Sequence, residues 1–472
     1  MNSQARQLIM PWARPCDLYS APGRLLMKLT LGEAPETIPA ARDVRLGASM
    51  AAVKVDGGPI DRILKKFSER VRIVRVHTAA AAMHRPGLGN RGYDDLEHAF
   101  GLSRSFRVDA DHRCCIADLV EALRQIDRVE SASPYYLCAT PFLQPESKTV
   151  DLEAAWRSRH QIGAAEAMAY EPGDPAVIVA IVDTGVATEH PELQQRLRPG
   201  FDTVELGLRD LASGLQLLGD RSEADTDPSD EVGHGTSCAA IIGAAGKSMP
   251  PGLAGECGLL PMRVLGAAQM SGKDEPIGIG ALSDIDAGMK TAIDLGAHVI
   301  NMSFGTPEAA LDAHDPMPHE DVVRYGLARG CIMIAASGNS GKAERFSPAS
   351  LEGVIAVGSI DSHGRPSSFS TTGEHVALCA PGERVMSAGL HDYQMVTGTS
   401  FAAPFVAAAA ALLVSRSRRR SRPLEAEAIK RILTASAQPW ARAQTSDYGV
   451  GTLDAHAALR KLDQELDQSN SF

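Results

Sequence analysis

Residues 398–404 read GTSFAAP, and residues 405–414, which follow, are all apolar. An apolar run of this kind predicts a helix buried in the middle of a large domain. Gly398 and Thr399 form a tight turn into that helix, and Ser400 stands at its N-terminus, where backbone N–H groups and the positive end of the helix dipole converge. A hydroxyl group in this place can attack a carbonyl while neighbouring amides stabilise the oxyanion. For an isolated Thr-Ser pair, a plain helix N-cap would be the simpler interpretation.

Two further segments carry the partners that a nucleophilic serine needs, which are a base and a carboxylate that orients it. Residues 176–182 read AVIVAIV, a β-branched run typical of a parallel strand buried on both faces. Asp183 follows at the carboxyl end of this strand, where open α/β sheets place their active sites. His234 lies between glycines in VGHGTSC, residues 232–238, and glycines permit close approach of the backbone. Either residue alone could be structural, but together with Ser400 they indicate a catalytic triad.

Three segments resemble the signature segments of the subtilisin-like serine proteases, the subtilases: DTGVATEHPEL from residue 183, GHGTSCAAIIG from residue 233 and GTSFAAP from residue 398. The order Asp183, His234, Ser400 is also the order found in subtilases. The resemblance covers roughly residues 150–463. It implies that Ser400 is the nucleophile and that His234 is the general base and then the general acid. Asp183 is then the carboxylate that fixes the imidazole tautomer.

A fourth segment, IMIAASGN at residues 332–339, is an apolar strand that ends in Gly-Asn. At this place the resemblance implies the asparagine of the oxyanion hole. The side-chain amide of Asn339 would then bind the developing oxyanion together with the backbone N–H of Ser400. A turn residue beside Gly338 is the alternative interpretation of Asn339.

The segment VINMSFG, residues 299–305, resembles the substrate-binding segment of subtilases, where an extended peptide pairs with the backbone by strand addition. The first half of this segment also reads as an ordinary core strand. The resemblance implies that the substrate-binding residues are Ser303, Phe304, Gly305, Ala336, Ser337, Gly338 and Phe346.

Two details resemble the subtilases of the proteinase K type in particular. Cys238 follows His234 by four residues and therefore shares its helix face. RFSPAS, residues 345–350, is similar to the loop that helps to form the wall of the specificity pocket. We therefore expect an apolar pocket near Phe346 that favours an aliphatic or aromatic residue before the scissile bond. Ser237 stands where the family usually has a second histidine, which is not a member of the triad.

The chain has 472 residues, which is long for one domain and suits two. The resemblance implies an α/β fold with a mainly parallel twisted sheet and helices on both faces, preceded by a small α+β propeptide-like domain. We expect an N-terminal extension, the propeptide-like domain, a linker, the catalytic domain and a C-terminal tail at residues 1–19, 20–140, 141–149, 150–463 and 464–472.

The pattern of the N-terminal domain predicts strands and helices in alternation, with strands at 24–30, 71–77, 106–108 and 129–136 and helices at 59–70 and 116–126. This order and the Val-Glu…Pro ending resemble the inhibitory propeptides of subtilases, and residues 78–104 are expected to be an insertion or a loop. The resemblance implies that this domain packs on the catalytic domain, with its end near the cleft, and that the enzyme could cut the linker itself. A permanent accessory domain that is never removed is the alternative.

Catalysis is expected to need no cofactor, although a structural calcium ion is common among subtilases. The acidic stretch of Asp225, Asp227, Asp230 and Glu231 could bind an ion. A solvated acidic loop is the favoured interpretation.

The net charge of −11 argues against a general nucleic-acid binder. The arginines within residues 416–422 are expected to be a solvated helix end that interacts favourably with the dipole.

Residues 1–19 lack the apolar segment of a signal peptide, and we find no apolar run of the ~20 residues that a membrane span needs. The eight cysteines show no metal-ligand spacing and are typical of free thiols in a reducing compartment. We therefore expect synthesis in the cytoplasm, with export by a non-classical route as an open question. A broad protease made there needs a restraint, which would be the N-terminal domain or a separate inhibitor protein.

The activity expected from this sequence is that of a monomeric serine endopeptidase, which cleaves protein or peptide substrates through an acyl-enzyme. Two alternatives remain open. The chain could be a peptide ligase, in which an amine replaces water at the acyl-enzyme. It could also be a non-catalytic peptide-binding module with a retained cleft, which is disfavoured because the triad and the oxyanion asparagine are all present.

Overall fold

The fold is known from a computed structural model, which describes residues 20–84, 92–140, 152–207, 215–221, 225–272, 275–440 and 447–468. We call residues 20–140 the N-terminal unit and residues 152–468 the C-terminal unit. The linker expected at 141–149 lies outside the described residues.

The N-terminal unit is an antiparallel sheet covered by helices. Its strands are β1 Ser20–Leu29, β2 Arg72–Arg75, β3 Ser105–Asp109 and β4 Val129–Ala139. Its helices are α1 Ala41–Arg45, α2 Pro59–Phe67, α3 Ala80–His84, α4 Asp95–Ala99 and α5 Ile116–Arg124. Alternate residues of β1 are buried, and the apolar faces of α2 and α5 join them in one core.

Residues 78–104 are expected from the sequence to be an insertion or a loop, and within them the structure has the helices α3 and α4. Helix α4 begins at a capping box. The Asp94 carboxylate accepts a hydrogen bond from the Glu97 backbone N–H (3.0 Å), and the Glu97 carboxylate accepts one from the Asp94 N–H (2.9 Å). An Asp followed three residues later by Glu is a signature of a helix start, so the signal was present in the sequence.

The C-terminal unit is built on a sheet of mostly parallel strands. Its strands are β5 Ile178–Asp183, β6 Phe201–Asp202, β7 Leu215–Leu217, β8 Gly258–Arg263, β9 Gly266–Met270, β10 Ile277–Ala281, β11 Val299–Met302, β12 Thr306–Pro307, β13 Ile332–Ala336, β14 Phe346–Ser347, β15 Ile355–Ile360, β16 Val376–Pro381, β17 Val385–Ala388, β18 Tyr393–Val396, β19 Gln438–Pro439 and β20 Gly451–Thr452. Its helices are α6 Leu152–His160, α7 Ala164–Tyr170, α8 His234–Gly243, α9 Leu282–Asp294, α10 Glu320–Ala328, α11 Thr399–Arg419, α12 Ala426–Ala435 and α13 Ala455–Gln468.

The main sheet has the strand order β19-β20-β16-β15-β13-β11-β5-β8-β6, with parallel pairing from β20 to β6. Helices cover both of its faces. Val179 and Ile181 of β5 belong to the core with α8 and α11, whereas Ala180 and Val182 belong to the core with α9 and α10. This two-sided burial explains why β5 is a continuous apolar run.

The buried helix predicted after Ser400 is α11. It is long and apolar enough to cross a membrane by composition, but 94% of its most apolar window is buried inside the C-terminal unit. Its C-terminal arginines are held by carboxylates, with Arg416 paired to Asp463 and Arg419 to Glu171. The next helices pack on it, and α13 continues to Gln468, past the boundary expected at residue 463.

A second sheet joins the two units, with the strand order β2-β3-β1-β4-β10-β9-β7. Strand β4 ends the N-terminal unit and pairs antiparallel with β10 of the C-terminal unit. Leu137 lies opposite Ala281, and Ala139 lies opposite Ile279. The strands of the N-terminal unit therefore continue the sheet formed by β10, β9 and β7 of the C-terminal unit.

Candidate active site

The three predicted triad residues come from three neighbouring elements. Asp183 is the last residue of β5, His234 is the first residue of α8, and Ser400 is the second residue of α11. The structure brings Asp183 and His234 into contact, with 2.7 Å between Asp183 Oδ1 and His234 Nδ1. A Cβ atom at Gly235 would lie 2.2 Å from the carbonyl oxygen of Gly185, so only glycine lets α8 approach the end of β5 this closely.

Asp183 is almost fully buried, and its Oδ1 also accepts a hydrogen bond from the Thr184 backbone N–H (2.7 Å). Burial by itself would lower the pKa of His234, but the charge and the hydrogen bond of Asp183 outweigh it, and the pKa is raised. A histidine whose protonated form is supported in this way can serve as a general base.

Ser400 is buried, and its hydroxyl donates a hydrogen bond to the carbonyl oxygen of Ser303 (3.2 Å). Within the described part of the chain, His234 Nε2 and Asn339 Nδ2 are buried and have no hydrogen-bond partner. Buried polar groups without partners are rare and call for an explanation. These two nitrogens belong to the residues that the sequence predicts as the general base and the oxyanion donor.

The orientation of the Asn339 amide is fixed by Thr399. Asn339 Oδ1 accepts hydrogen bonds from the backbone N–H and from the hydroxyl of Thr399, both at 2.9 Å. Since the amide oxygen is occupied, the Nδ2 group is left as a donor beside the start of α11. The sequence did not single out Thr399 for this role, and nothing in its local pattern indicates the contact.

The predicted substrate-binding residues divide into two groups. Ser303, Ala336 and Ser337 are buried, and the Phe304 ring packs against His319 in the core, so these residues offer backbone rather than side chains. Gly305, Gly338 and Phe346 lie together, because a Cβ atom at Gly338 would be 2.9 Å from the Phe346 ring and one at Gly305 would be 3.4 Å from Phe346 Cβ.

The end of the N-terminal unit lies in the same region. The Cys138 thiol donates to the carbonyl oxygen of Gly305, with 3.6 Å between sulfur and oxygen. The backbone N–H of Thr140 donates to the carbonyl oxygen of Gly278 in β10 (2.9 Å), the residue before the three that pair with β4. Residues 137–140 therefore run as an extended strand between β10 and Gly305.

Cys238 lies next to the triad. Its thiol donates to the carbonyl oxygen of Ser400 (3.4 Å), and its sulfur lies within 4.8 Å of ligand atoms of Asp183 and His234. Burial raises the pKa of this thiol well above its ordinary value, and the charge of Asp183 raises it further. Cys238 is therefore a protonated packing residue rather than a second nucleophile.

The acidic stretch considered for calcium does not fit an ion. Asp230 is buried and accepts hydrogen bonds from the backbone and from a threonine hydroxyl, and Glu231 pairs with Arg263. Asp225 and Asp227 accept backbone N–H groups within their own loop. In the residues that the structure describes, the grouped candidate metal ligands are those of the triad region and not these carboxylates.

Comparisons with known proteins identify the family of most of the C-terminal unit. The model of the subtilase family matches residues 174–459, more than half of the chain. A thermophilic serine proteinase from Bacillus sp. (strain AK1) is 36% identical over 243 residues, which make up 51% of this chain and 52% of that protein. Subtilisin BL from Lederbergia lenta is 33% identical over 285 residues, 60% of this chain and 91% of that protein. A solved protease structure from Pseudoalteromonas arctica is similar in fold, with a TM-score of 0.55 and 24% identity over 68% of this chain and 100% of that chain.

Proposed function

This chain is a subtilisin-like serine endopeptidase that belongs to the subtilase family, and we propose that it hydrolyses proteins through an acyl-enzyme on Ser400. The observation that carries this mechanism is the 2.7 Å contact between Asp183 and His234, with His234 Nε2 buried and unpartnered. Such a nitrogen is available to take the proton of the serine hydroxyl.

The steps of the proposed reaction use the chain's own groups. Ser400 Oγ attacks the scissile carbonyl carbon and passes its proton to His234 Nε2, and Asp183 stabilises the imidazolium that results. The oxyanion accepts hydrogen bonds from Asn339 Nδ2 and from the Ser400 backbone N–H. His234 then returns the proton to the leaving amine, and water attacks the acyl-enzyme in the second half of the reaction.

The experiment for this proposal is digestion of a peptide of known sequence, with the products identified by mass. We expect wild type to give fragments that carry the mass of one added water, and we expect His234→Ala to give none. Ligation would instead give products that join a fragment to an added amine peptide. Intact peptide under every condition would favour a non-catalytic binding module.

We further propose that the N-terminal unit restrains the enzyme, as the inhibitory propeptides that it resembles would. Support comes from residues 137–140, which pair with β10 and reach Gly305, a position predicted to bind substrate. A substrate that pairs with the backbone at Gly305 by strand addition would compete with this strand. Full-length enzyme that degrades casein freely when purified alone would contradict this restraint and would leave a separate inhibitor protein as the alternative.

The specificity pocket is proposed to be apolar, because the Phe346 ring stands between Gly305 and Gly338. The expected preference is an aliphatic or aromatic residue before the scissile bond. A peptide library in which arginine or lysine dominates at that position would contradict it.

Catalysis as proposed needs no cofactor. A structural calcium ion is a separate proposal that rests on the family, and the acidic stretch before His234 does not support it. Thermal unfolding with calcium and with a chelator checks it, since an ion bound only to the folded chain raises the midpoint of unfolding.

A further inference from the structure

A buried carboxylate outside the triad holds the turn that carries His234. Asp230 Oδ1 accepts hydrogen bonds from the backbone N–H groups of Val232 (2.8 Å) and Gly233 (2.9 Å). Its Oδ2 accepts two more from Thr236, one from the backbone N–H (2.9 Å) and one from the hydroxyl (2.6 Å). These donors lie immediately before and after His234 in the chain, so one carboxylate fixes both sides of the residue that carries the imidazole.

The same carboxylate connects α8 to the loop after Asp183. The Thr236 hydroxyl donates its single proton to Asp230, and its oxygen accepts a hydrogen bond from the Ala187 backbone N–H (2.9 Å). A second hydrogen bond also joins α8 to this loop, from the Gly235 N–H to the Thr184 hydroxyl (2.9 Å). A hydroxyl has one proton to donate and lone pairs to accept with, so Thr236 can bind Asp230 and Ala187 at the same time and link the carboxylate to that loop.

Electrostatics give Asp230 a second effect on the base. His234 is the first residue of a helix of 10 residues, and the positive end of a helix dipole disfavours a cation there. The groups around the imidazole are Asp183 from β5, Asp230 from the preceding loop, the Cys238 thiol from α8 and the Phe401 ring from α11. The negative charge of Asp230 therefore adds to that of Asp183 and opposes the dipole.

We propose that Asp230 is a positioning residue of the catalytic centre, which fixes His234 relative to Asp183 and supports the imidazolium formed during acyl transfer. The proposal rests on the proposed function of the triad. It assigns a role to a carboxylate that the sequence presented only as a member of an acidic stretch. The signal that could have found it is the spacing Asp-x-x-Gly-His, which places an acceptor one turn before the base.

The test compares Asp230→Asn with wild type in cleavage of a peptide p-nitroanilide that has an apolar residue before the scissile bond. Rates are normalised to active sites titrated with a fluorophosphonate. For Asp230→Asn we expect kcat to fall by about 10-fold to 100-fold with little change in KM. The acid limb of the pH–rate profile should move to lower pH by about half a unit, because loss of the negative charge lowers the pKa of His234.

Two variants of Thr236 separate the positioning of His234 from the effect of the negative charge on Asp230. They also test the proposal if Asp230→Asn does not fold. Thr236→Val removes the hydroxyl but leaves the carboxylate, so kcat should fall while the acid limb stays in place. Thr236→Ser keeps the hydroxyl and should restore kcat. A merely structural role would lower the fraction of active sites and the midpoint of unfolding but leave kcat per site unchanged.

A further measurement does not depend on turnover. In the Ser400→Ala background, an NMR titration of the proton between His234 and Asp183 reports the pKa of the imidazole directly. A lower value with Asp230→Asn supports the proposal. Equal values in the two chains, or equal kcat per active site and equal acid limbs, would overturn it. If wild type neither cleaves peptide nor forms a fluorophosphonate adduct while the titration still shows the shift, the proposed function fails but the electrostatic role of Asp230 stands.

Discussion

The active site and the contact between the two units both bury charge, but they arrange it differently. At the active site Asp183 and His234 make one short contact, and His234 Nε2 and Asn339 Nδ2 are left without hydrogen-bond partners. At the contact between the units, opposite charges neutralise each other. Lys290 of α9 is buried between Glu97 of the N-terminal unit (2.6 Å) and Asp294 of its own helix (2.6 Å). Unpartnered nitrogens at the active site suit chemistry, whereas paired opposite charges hold the two units together.

A second group of charged residues holds the N-terminal unit near the N-terminal end of α9. Glu205 of the C-terminal unit accepts Arg107 (2.6 Å) and Arg45 (2.8 Å) from the N-terminal unit. Burial alone would raise the pKa of Glu205, but these arginines lower it to about 2. Tyr135 of β4 donates to Asp284 at the start of the same helix (2.7 Å). The docked unit is therefore held at both ends of α9 as well as by the β4–β10 pairing.

The largest expected effect is at the active site. Asp183→Asn keeps the shape of the side chain but removes the charge that sets the tautomer of His234, so we expect kcat to fall by about 10,000-fold. Steady-state kinetics on the peptide p-nitroanilide measure it. Asp361→Asn changes an exposed ion pair with Arg365 and is the matched control, with kcat near that of wild type. A loss of less than tenfold for Asp183→Asn would show that this carboxylate does not orient the base.

The next effect concerns the oxyanion. Asn339→Ala removes the unpartnered Nδ2 donor, and we expect kcat to fall by about 100-fold to 1,000-fold while KM changes little. Thr399→Ser keeps both hydrogen bonds to Asn339 Oδ1 and should remain close to wild type. If KM rose and kcat held, Asn339 would be a substrate-binding residue instead.

A substitution at the contact between the two units should increase the reactivity of Ser400 instead of decreasing it. Glu97→Gln can keep the capping box of α4 but removes the negative charge that pairs with Lys290 across the contact and leaves the hydrogen bond to the Thr78 carbonyl oxygen (2.8 Å), so the N-terminal unit should undock more often. We expect Ser400 to react with a fluorophosphonate roughly 30-fold faster than in wild type. Glu33→Gln is the matched control, because Glu33 pairs with Arg128 inside the N-terminal unit at an exposed site. Equal labelling rates for all three chains would mean that this ion pair does not hold the cleft closed.

The smallest expected effect is a pH dependence of the free energy of unfolding, which arises from His77 at the same contact. Burial, and then the nearby charge of Lys290, lower the pKa of His77 to about 3 from an ordinary value of 6.5. His77 is therefore neutral in the folded chain, and its contribution to stability is complete above pH 6.5 and is lost as the pH falls towards 3. Between pH 6.5 and 5.5 this loss amounts to about 1 kcal/mol.

The measurement is the free energy of unfolding of the Ser400→Ala chain at these two pH values, with and without the further substitution His77→Gln. We expect the chain that retains His77 to lose more stability on acidification than the chain that carries His77→Gln. Identical losses would show that His77 is not kept neutral by the contact.

The same comparison explains what the sequence could predict. Asp183, His234 and Ser400 each stand at the edge of an element with a strong local pattern, and parallel strands and their helices bring such edges together. The capping box at Asp94 is equally readable, because its two partners are three residues apart. By contrast, Arg107 and Glu205 are 98 residues apart and lie in different units, so no local pattern links them. The pairing of β4 with β10 cannot be predicted from local sequence patterns for the same reason.

The role of Asp230 could be predicted from the sequence only in part. Its spacing to His234 is local, but its function depends on the Thr236 hydroxyl and on Ala187 from another loop. Phe304 shows the reverse, since its position in the substrate-binding segment is readable but the burial of its ring against His319 is not. Local patterns thus locate the chemistry, and contacts between distant segments determine how it is held.

The decisive measurement for the role of Ser400 is the intact mass of wild type and of Ser400→Ala after treatment with a fluorophosphonate. We predict one adduct on wild type and none on Ser400→Ala, formed slowly because residues 137–140 border the cleft. The mass of the labelled species also shows whether the N-terminal unit remains attached. An adduct on both chains, or on neither chain after the N-terminal unit has been undocked by Glu97→Gln, would contradict the assignment of Ser400 as an activated nucleophile.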